Sequence, residues 1–152
     1  TLRCYEDYTV WQKAMDLAEA VYEVTLKLHV EERFGLSDQL SREAVFGPSN
    51  IAEGHGIRTD MEFSYFLHIS KGSIAEIETQ LRLCVRFHYV GKDAISDSME
   101  LCMEVVKMIN SLVYKLKDEF DKLQRAKGKC AQCNFWLLEA ACGRLFLGGT
   151  GM

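Results

Sequence analysis

Apolar residues recur at alternating spacings of three and four along four stretches of this chain. This is the spacing of one face of an α-helix. It predicts helices over about Val10–His29, Leu36–Gly54, from just after Thr59 to Tyr89, and Asp93–Lys127. No stretch alternates apolar and polar residues as a strand would. Sustained heptads with short connections predict an all-α protein, an antiparallel up-down-up-down four-helix bundle.

The chain divides in composition after Lys127. Residues 1–127 form the predicted bundle, and residues 128–152 form a C-terminal extension with three cysteines and an apolar middle. A short helix over Asn134–Ala141 is one reading of this extension. Packing on the bundle, a contribution to an oligomer contact and poor order are open alternatives.

The fourth predicted helix carries more apolar surface than one core-facing stripe needs. Beside its main heptad stripe runs a second stripe with 4-3-4 spacing: Leu101, Val105, Met108 and Leu112. The first helix also has a second stripe: Trp11, Met15, Ala18 and Tyr22. A bundle helix needs roughly three apolar positions in seven. The surplus predicts an apolar oligomer interface outside the bundle, and a wide core face is the alternative.

Two sequence patterns mark helix starts. Thr9 with Gln12, and Thr59 with Glu62, have the spacing of a capping box, in which each side chain satisfies an orphan amide of the first turn. Gly54 has the position of a helix C-terminus.

The single proline, Pro48, falls inside the second predicted helix. An interior proline removes a backbone donor and frees the carbonyl one turn back. Ser49, Asn50 and Glu53 follow it and form a structural polar cluster, in which Ser49 or Asn50 satisfies the freed carbonyl and Glu53 pairs with a basic residue. The functional alternative is a polar site between the second and third helices. On the third helix this site would use Glu76, Glu78, Thr79 and Gln80.

Composition excludes several classes of protein. Hydrophobic residues make up 48% and charged residues 26% of the 152 residues. A globular chain of this length can bury one sizeable core. No apolar run approaches a membrane span, so we expect no membrane partner. Two of the six cysteines, Cys84 and Cys102, lie on apolar stripes, where cysteine acts as a small hydrophobe. With no secretory signal at the N-terminus, we expect a cytoplasmic protein.

Candidate chemistry is sparse. A di-iron bundle needs Glu-x-x-His on two helices, and none of the four histidines has a carboxylate three residues before it. The pair Cys130 and Cys133 has C-x-x-C spacing, but Cys142 is the single further cysteine near it. We therefore interpret these cysteines as incidental. We find no nucleophile–base pair and no phosphate loop. The sequence predicts no catalytic residue, no metal site, no cofactor and no enzymatic activity.

Nucleic-acid binding would appear as clustered lysine and arginine. The candidates are Arg42, Arg58, Lys71, Arg82 and Arg86, which flank the Pro48 segment or lie on the third helix. The net charge is −4, so binding to phosphate would need a local basic patch.

Five blocks in order resemble a known family. They are Tyr5–Met15, Glu32–Leu40, Ala44–Gly54, Glu62–Phe63 with Phe66–Leu67, and Gly72–Leu81. Together they look like the bacterial four-helix bundle proteins called 23S rRNA intervening-sequence proteins. The resemblance spans roughly residues 5 to 90, and Gly47 stands where many members have a larger apolar residue. It implies an up-down bundle assembled as a ring of five, with no established enzymatic activity.

A related branch of the same family includes the accessory variability determinant of diversity-generating retroelements. That protein is a basic pentamer that binds reverse transcriptase and nucleic acid. This chain departs from that branch, since its charge is negative.

Two functions follow as hypotheses. The first is a non-enzymatic homo-oligomeric scaffold or binding module, a pentamer by resemblance, whose further partner is an RNA or a protein. The alternative is an RNA- or DNA-binding accessory protein that acts with ribosomal RNA or a reverse transcriptase.

Overall fold

Four α-helices make up most of the part of the chain that the structure describes. The computed structural model describes residues 4–29, 31, 35–57 and 59–142, with side chains as far as residue 126. The helices are α1 (Thr9–Thr25), α2 (Leu36–His55), α3 (Asp60–Arg86) and α4 (Ser96–Cys142). Short 3₁₀ helices at Tyr5–Asp7 and Lys92–Ile95 precede α1 and α4. These residues contain no strand, which confirms the predicted all-α class.

Several helix ends differ from the prediction, including those of α3, which ends at Arg86 rather than Tyr89, and of α4, which begins at Ser96 rather than Asp93. α1 ends at Thr25 rather than His29, and the Leu28 amide donates to the Thr25 carbonyl (3.2 Å) in a tighter turn. α4 continues past Lys127 to Cys142 as one helix. The apolar spacing predicted too long a helix α1, because Leu28 is still buried after α1 has ended.

Of the two predicted capping boxes, only the threonine half of the second one forms, since the Glu62 carboxylate accepts the Thr59 hydroxyl (2.6 Å) rather than an amide. Thr59 caps α3, where its hydroxyl oxygen accepts the Glu62 amide at 3.2 Å. The Thr9 box is wrong, because α1 begins at Thr9 itself and the side chain of Gln12 donates to the Glu6 carbonyl at 2.9 Å. The residue in the N-cap position of α1 is Tyr8, one residue earlier than predicted.

Buried residues from all four helices form one apolar core. The fully buried side chains include Val21 of α1, Leu40 and Ile51 of α2, Leu67, Ile74, Ile77 and Leu81 of α3, and Ile109 of α4. α2 packs against both α1 and α3. α4 adjoins α1 through the ion pair of Lys13 with Glu104 (3.3 Å), and α3 through Lys71, which donates to Asn110 (2.9 Å).

Small residues set the approach of α2 to α3. Gly54 is buried, and a Cβ atom added there would lie 2.6 Å from the Cβ of Phe66. Two turns earlier on α2, the carbonyl of Gly47 accepts a hydrogen bond from the buried hydroxyl of Ser70 at 2.8 Å. These contacts place the Pro48 segment of α2 directly against α3.

The chain divides into two compact units, Thr1–Leu116 and Lys117–Met152. In the second unit α4 carries the ion pair of Lys122 with Asp118. The predicted division into residues 1–127 and 128–152 remains a prediction. Among the described residues, no helix is both long enough and apolar enough to cross a membrane.

Candidate functional site

The stripe predicted as an interface on α4 is only partly on the outside. Leu101, Met108 and Leu112 are half-buried and touch the core from outside. Val105, which we predicted on the same outer stripe, is fully buried. The reason is its spacing of three from Cys102 and four from Ile109, which puts it on their inward face. The outer stripe is therefore Leu101, Met108 and Leu112, and its role as an interface is a proposal.

A shallow groove runs between this stripe and the start of α1. Its floor includes Val10, Met108 and Leu112, and its rim includes Lys107 and Lys115. Tyr8, Thr9 and Ser111 complete its walls. The groove combines an apolar floor with a basic rim, a composition typical of protein-binding surfaces.

Two of the four residues of the second α1 stripe are exposed to solvent. Met15 is 45% exposed and Tyr22 is 44% exposed, whereas Trp11 and Ala18 are half-buried against the core. Leu26, one turn beyond Tyr22, is 85% exposed. This face is thus apolar and uncovered within the described part of the chain.

The outer edge of α1 and α2 forms a second shallow groove. Tyr22 faces Val45 and Phe46 of α2 across it, and Asp38, Ser41 and Arg42 line its rim. Val45 and Phe46 are both nearly half exposed. Sequence patterns did not single out these two residues, because they stand next to the Pro48 segment and outside the heptad positions of α2.

The polar residues after Pro48 satisfy the backbone of their own helix. The Ser49 hydroxyl donates to the Val45 carbonyl, and the Asn50 amide donates to the Phe46 carbonyl, both at 2.7 Å. The carbonyl that Pro48 deprives of its helical donor belongs to Ala44, so these bonds fall on its neighbours rather than on it. The bonds are local, which matches a structural role rather than a reactive one.

Glu53, the third residue of the predicted polar cluster, does not form the predicted pair with a basic residue among the described residues. Its side chain is exposed, and within the described residues it forms no ion pair. Pro48 itself is buried. The cluster therefore contains two residues that bond to their own helix and one solvated carboxylate.

The basic candidates are dispersed and mostly paired. Arg42 binds Asp38 at 3.0 Å and Arg82 binds Glu78 at 2.6 Å, each one turn away on its own helix. Lys71 donates to Asn110, as described above. Arg86 is exposed, and Arg58 lies outside the described residues. The four described candidates therefore do not form one basic cluster. Each bonds to another residue or faces solvent.

The polar residues predicted between α2 and α3 do not converge on a site. Glu76 and Thr79 are exposed and line a shallow surface depression with Gln80. The Oε1 atom of Gln80 is buried without a hydrogen-bond partner among the described residues. One buried amide with no neighbouring nucleophile–base pair does not assemble catalytic machinery.

The described thiols are buried or half-buried and are not joined in disulfides. These are Cys4, Cys84 and Cys102. Burial, with a smaller contribution from the Glu78 carboxylate, raises the pKa of the Cys102 thiol to about 12. Such a thiol stays protonated and inert at neutral pH. Among the described residues, no group of three or more potential ligands is placed to hold a metal ion. The side chains of Cys130, Cys133 and Cys142 lie outside the described part.

Comparison with known proteins gives one family. The model of the family described as "23S rRNA-intervening sequence protein" matches residues 6–111. A crystal structure from Bacteroides thetaiotaomicron, described as a protein of unknown function from the S23 ribosomal protein family, has the same fold. Its TM-score is 0.64 at 23% identity, over 69% of this chain and 98% of that one. No functionally curated protein matches the chain in sequence.

Proposed function

We propose that this chain, which belongs to the 23S rRNA-intervening sequence protein family, is a non-enzymatic scaffold that assembles from copies of itself. Its four helices are arranged up-down-up-down, and a ring of five copies is the assembly that the family resemblance implies. The scaffold is located in the bacterial cytoplasm. In keeping with that location, Cys84 and Cys102 are buried as apolar residues rather than joined in disulfides.

The surplus apolar surface is the observation that carries this proposal. Met15 and Tyr22 are exposed on α1, Leu26 is exposed directly after its end, and Met108 and Leu112 lie on the floor of an open groove beside α4. Contiguous exposed apolar patches rimmed by polar residues are typical of protein interaction surfaces. The α4 stripe Leu101, Met108 and Leu112 is therefore proposed as part of the contact between copies.

The absence of an enzymatic role is proposed on chemical grounds. Among the described side chains, polar groups such as Ser49 and Asn50 bond locally, and others form surface ion pairs. The family match likewise indicates no enzymatic family. A scaffold needs surfaces rather than a pocket, and the described grooves are shallow.

A pair of polar substitutions tests the proposal. Met108→Gln with Leu112→Gln keeps the side-chain lengths similar and removes the apolar character of the groove floor. We expect self-association at least about tenfold weaker by sedimentation velocity, with helicity retained. Met61→Gln is the control, because Met61 is an exposed methionine on α3. Unchanged association of the double variant would contradict a role for this stripe.

The alternative is an accessory protein that binds RNA or DNA and acts with ribosomal RNA or a reverse transcriptase. Exposed Arg86 is the residue that favours it most, since Arg42 and Arg82 are each paired with a carboxylate. Titration of a structured RNA at low salt tests this alternative. Arg86→Ala should weaken binding if the alternative is correct, and the absence of binding at low salt would contradict it.

A further inference from the structure

The groove beside α4 has a positive rim around an apolar floor. Lys107 and Lys115 are exposed and stand two turns apart on α4, with Ser111 between them. Within the described residues neither lysine forms an ion pair. Met108 and Leu112, which lie between the two lysines in sequence, line the same groove. A partner for this groove needs apolar side chains with carboxylates beside them.

The outer face of α1 has the complementary composition. Met15, Tyr22 and Leu26 are exposed along three turns, and Glu19 and Glu23 are exposed on the same side of the helix. Met15, Glu19 and Tyr22 follow one another at spacings of four and three, so they share a face of α1, and Glu23 lies one turn after Glu19. Leu26 is the C-cap residue that directly follows α1. Among the described residues, Glu19 and Glu23 form no ion pair. The α1 face is therefore apolar with a negative border.

The two surfaces point in different directions from α1. Lys13 of α1 reaches Glu104 of α4, so that side of the helix faces α4 and the groove. Tyr22 lies on another side, where it lines the shallow groove with Val45 and Phe46 of α2. One copy can therefore offer both surfaces at once.

We infer that copies of this chain associate head to tail, the acidic apolar face of α1 in one copy binding the basic apolar groove beside α4 in the next. This inference rests on the proposed self-association and names the two surfaces that meet. A contact of either surface with itself would set lysines against lysines or glutamates against glutamates, which is unfavourable. A head-to-tail contact generates a closed ring or an open filament, whereas a self-complementary contact stops at a dimer.

Charge reversal separates this contact from other modes of association. Lys107→Glu with Lys115→Glu makes the groove negative, and Glu19→Lys with Glu23→Lys makes the α1 face positive. Each double variant should self-associate at least about tenfold more weakly than the unchanged protein in sedimentation velocity. The quadruple variant has both charges exchanged, so it should recover self-association. Arg86→Glu with Lys92→Glu is the control, since it applies the same charge change elsewhere and should leave association unchanged.

Each outcome of this experiment is decisive. Loss in both double variants with recovery in the quadruple variant supports the head-to-tail contact. Unchanged association of either double variant, or no recovery in a folded quadruple variant, overturns the contact and leaves self-association itself standing. A monomeric unchanged protein overturns both the contact and the proposed scaffold. Circular dichroism verifies folding, and the single exchanges Lys115→Glu and Glu19→Lys, alone and combined, repeat the test if a double variant unfolds.

Discussion

Gly54 of α2 and Phe66 of α3 approach so closely that a Cβ atom on Gly54 would lie 2.6 Å from the Cβ of Phe66. The same added atom would lie 2.9 Å from the ring of Phe63. The nearest atom belongs to the base of a side chain, so it cannot move without its backbone. The contact makes Gly54 a requirement of the packing of α2 on α3 rather than only a helix end.

Gly54→Ala should destabilise the fold. The overpacked contact costs about 1–3 kcal/mol. The gain in helix propensity is below the roughly 1 kcal/mol of a helix interior, because Gly54 is the next-to-last residue of α2. Chemical denaturation measures the difference in free energy of unfolding. Gly72→Ala is the matched control, because Gly72 is exposed on α3 with no atom within 4 Å of its added Cβ. That control should stabilise the fold by about 0.5–1 kcal/mol. Equal effects at the two glycines would contradict the close approach.

Ser70→Ala should destabilise the protein by about 1 kcal/mol, because it removes a buried hydrogen bond between α3 and the Gly47 carbonyl of α2. Thr79→Ala removes a hydroxyl that bonds within α3 at the surface (2.9 Å to the Ala75 carbonyl). That control should change the free energy of unfolding by less than about 0.5 kcal/mol. The Ser70 bond would be unimportant if thermal denaturation placed both variants at the same midpoint.

His88→Gly should stabilise the protein by about 1 kcal/mol. His88 has a φ angle of 61° just after α3, and glycine adopts this left-handed conformation without strain. The His88 amide donates to Val85 and the amide of Tyr89 donates to Cys84, which closes the helix end. The same change at His68, inside α3 and exposed, should instead cost about 1 kcal/mol. Chemical denaturation showing effects of the same sign would refute this assignment.

The Cys102 thiol should resist alkylation at pH 8, because burial and Glu78 raise its pKa to about 12. The half-buried Cys4 thiol should react before Cys102, as peptide mass spectrometry after iodoacetamide treatment can measure. An unfolded chain ionises Cys102 at the ordinary thiol pKa of 9.0, while the folded chain keeps it protonated. The stabilising contribution is therefore complete below pH 9 and falls as the pH rises toward about 12. Rapid labelling of Cys102 in folded protein at pH 8 would contradict its burial.

The fold could be predicted from sequence further than the surfaces could. Heptad spacing located all four helices, because apolar residues at a 3.6-residue period form one continuous face only when the segment is helical. The same spacing placed Val105 outside the core, because α4 has two adjacent apolar stripes and periodicity alone cannot say which one faces inward. Contacts such as Ser70 with Gly47 join residues 23 positions apart, and a spacing pattern within one helix does not contain them.

The prediction from sequence was limited in the same way at the Pro48 segment. The sequence predicted that Ser49 or Asn50 would satisfy the carbonyl freed by Pro48, and this is wrong, because that carbonyl belongs to Ala44 and neither side chain reaches it. The carbonyls that they reach are those of Val45 and Phe46, since side-chain geometry in a helix directs each residue to its own fourth predecessor. Exposed Val45 and Phe46 could not be identified as surface residues until α2 was oriented by its packing against α1 and α3.

Sedimentation equilibrium of the unchanged protein over a range of micromolar concentrations measures whether copies of the chain assemble with one another. The exposed apolar face of α1 and the groove beside α4 predict an assembly of several chains, each of 17.3 kDa, and from the family resemblance we expect five copies. A mass of five chains that is stable on dilution through this range is the predicted result. A single species of 17.3 kDa throughout would contradict the account, because those apolar surfaces would then face water without a partner.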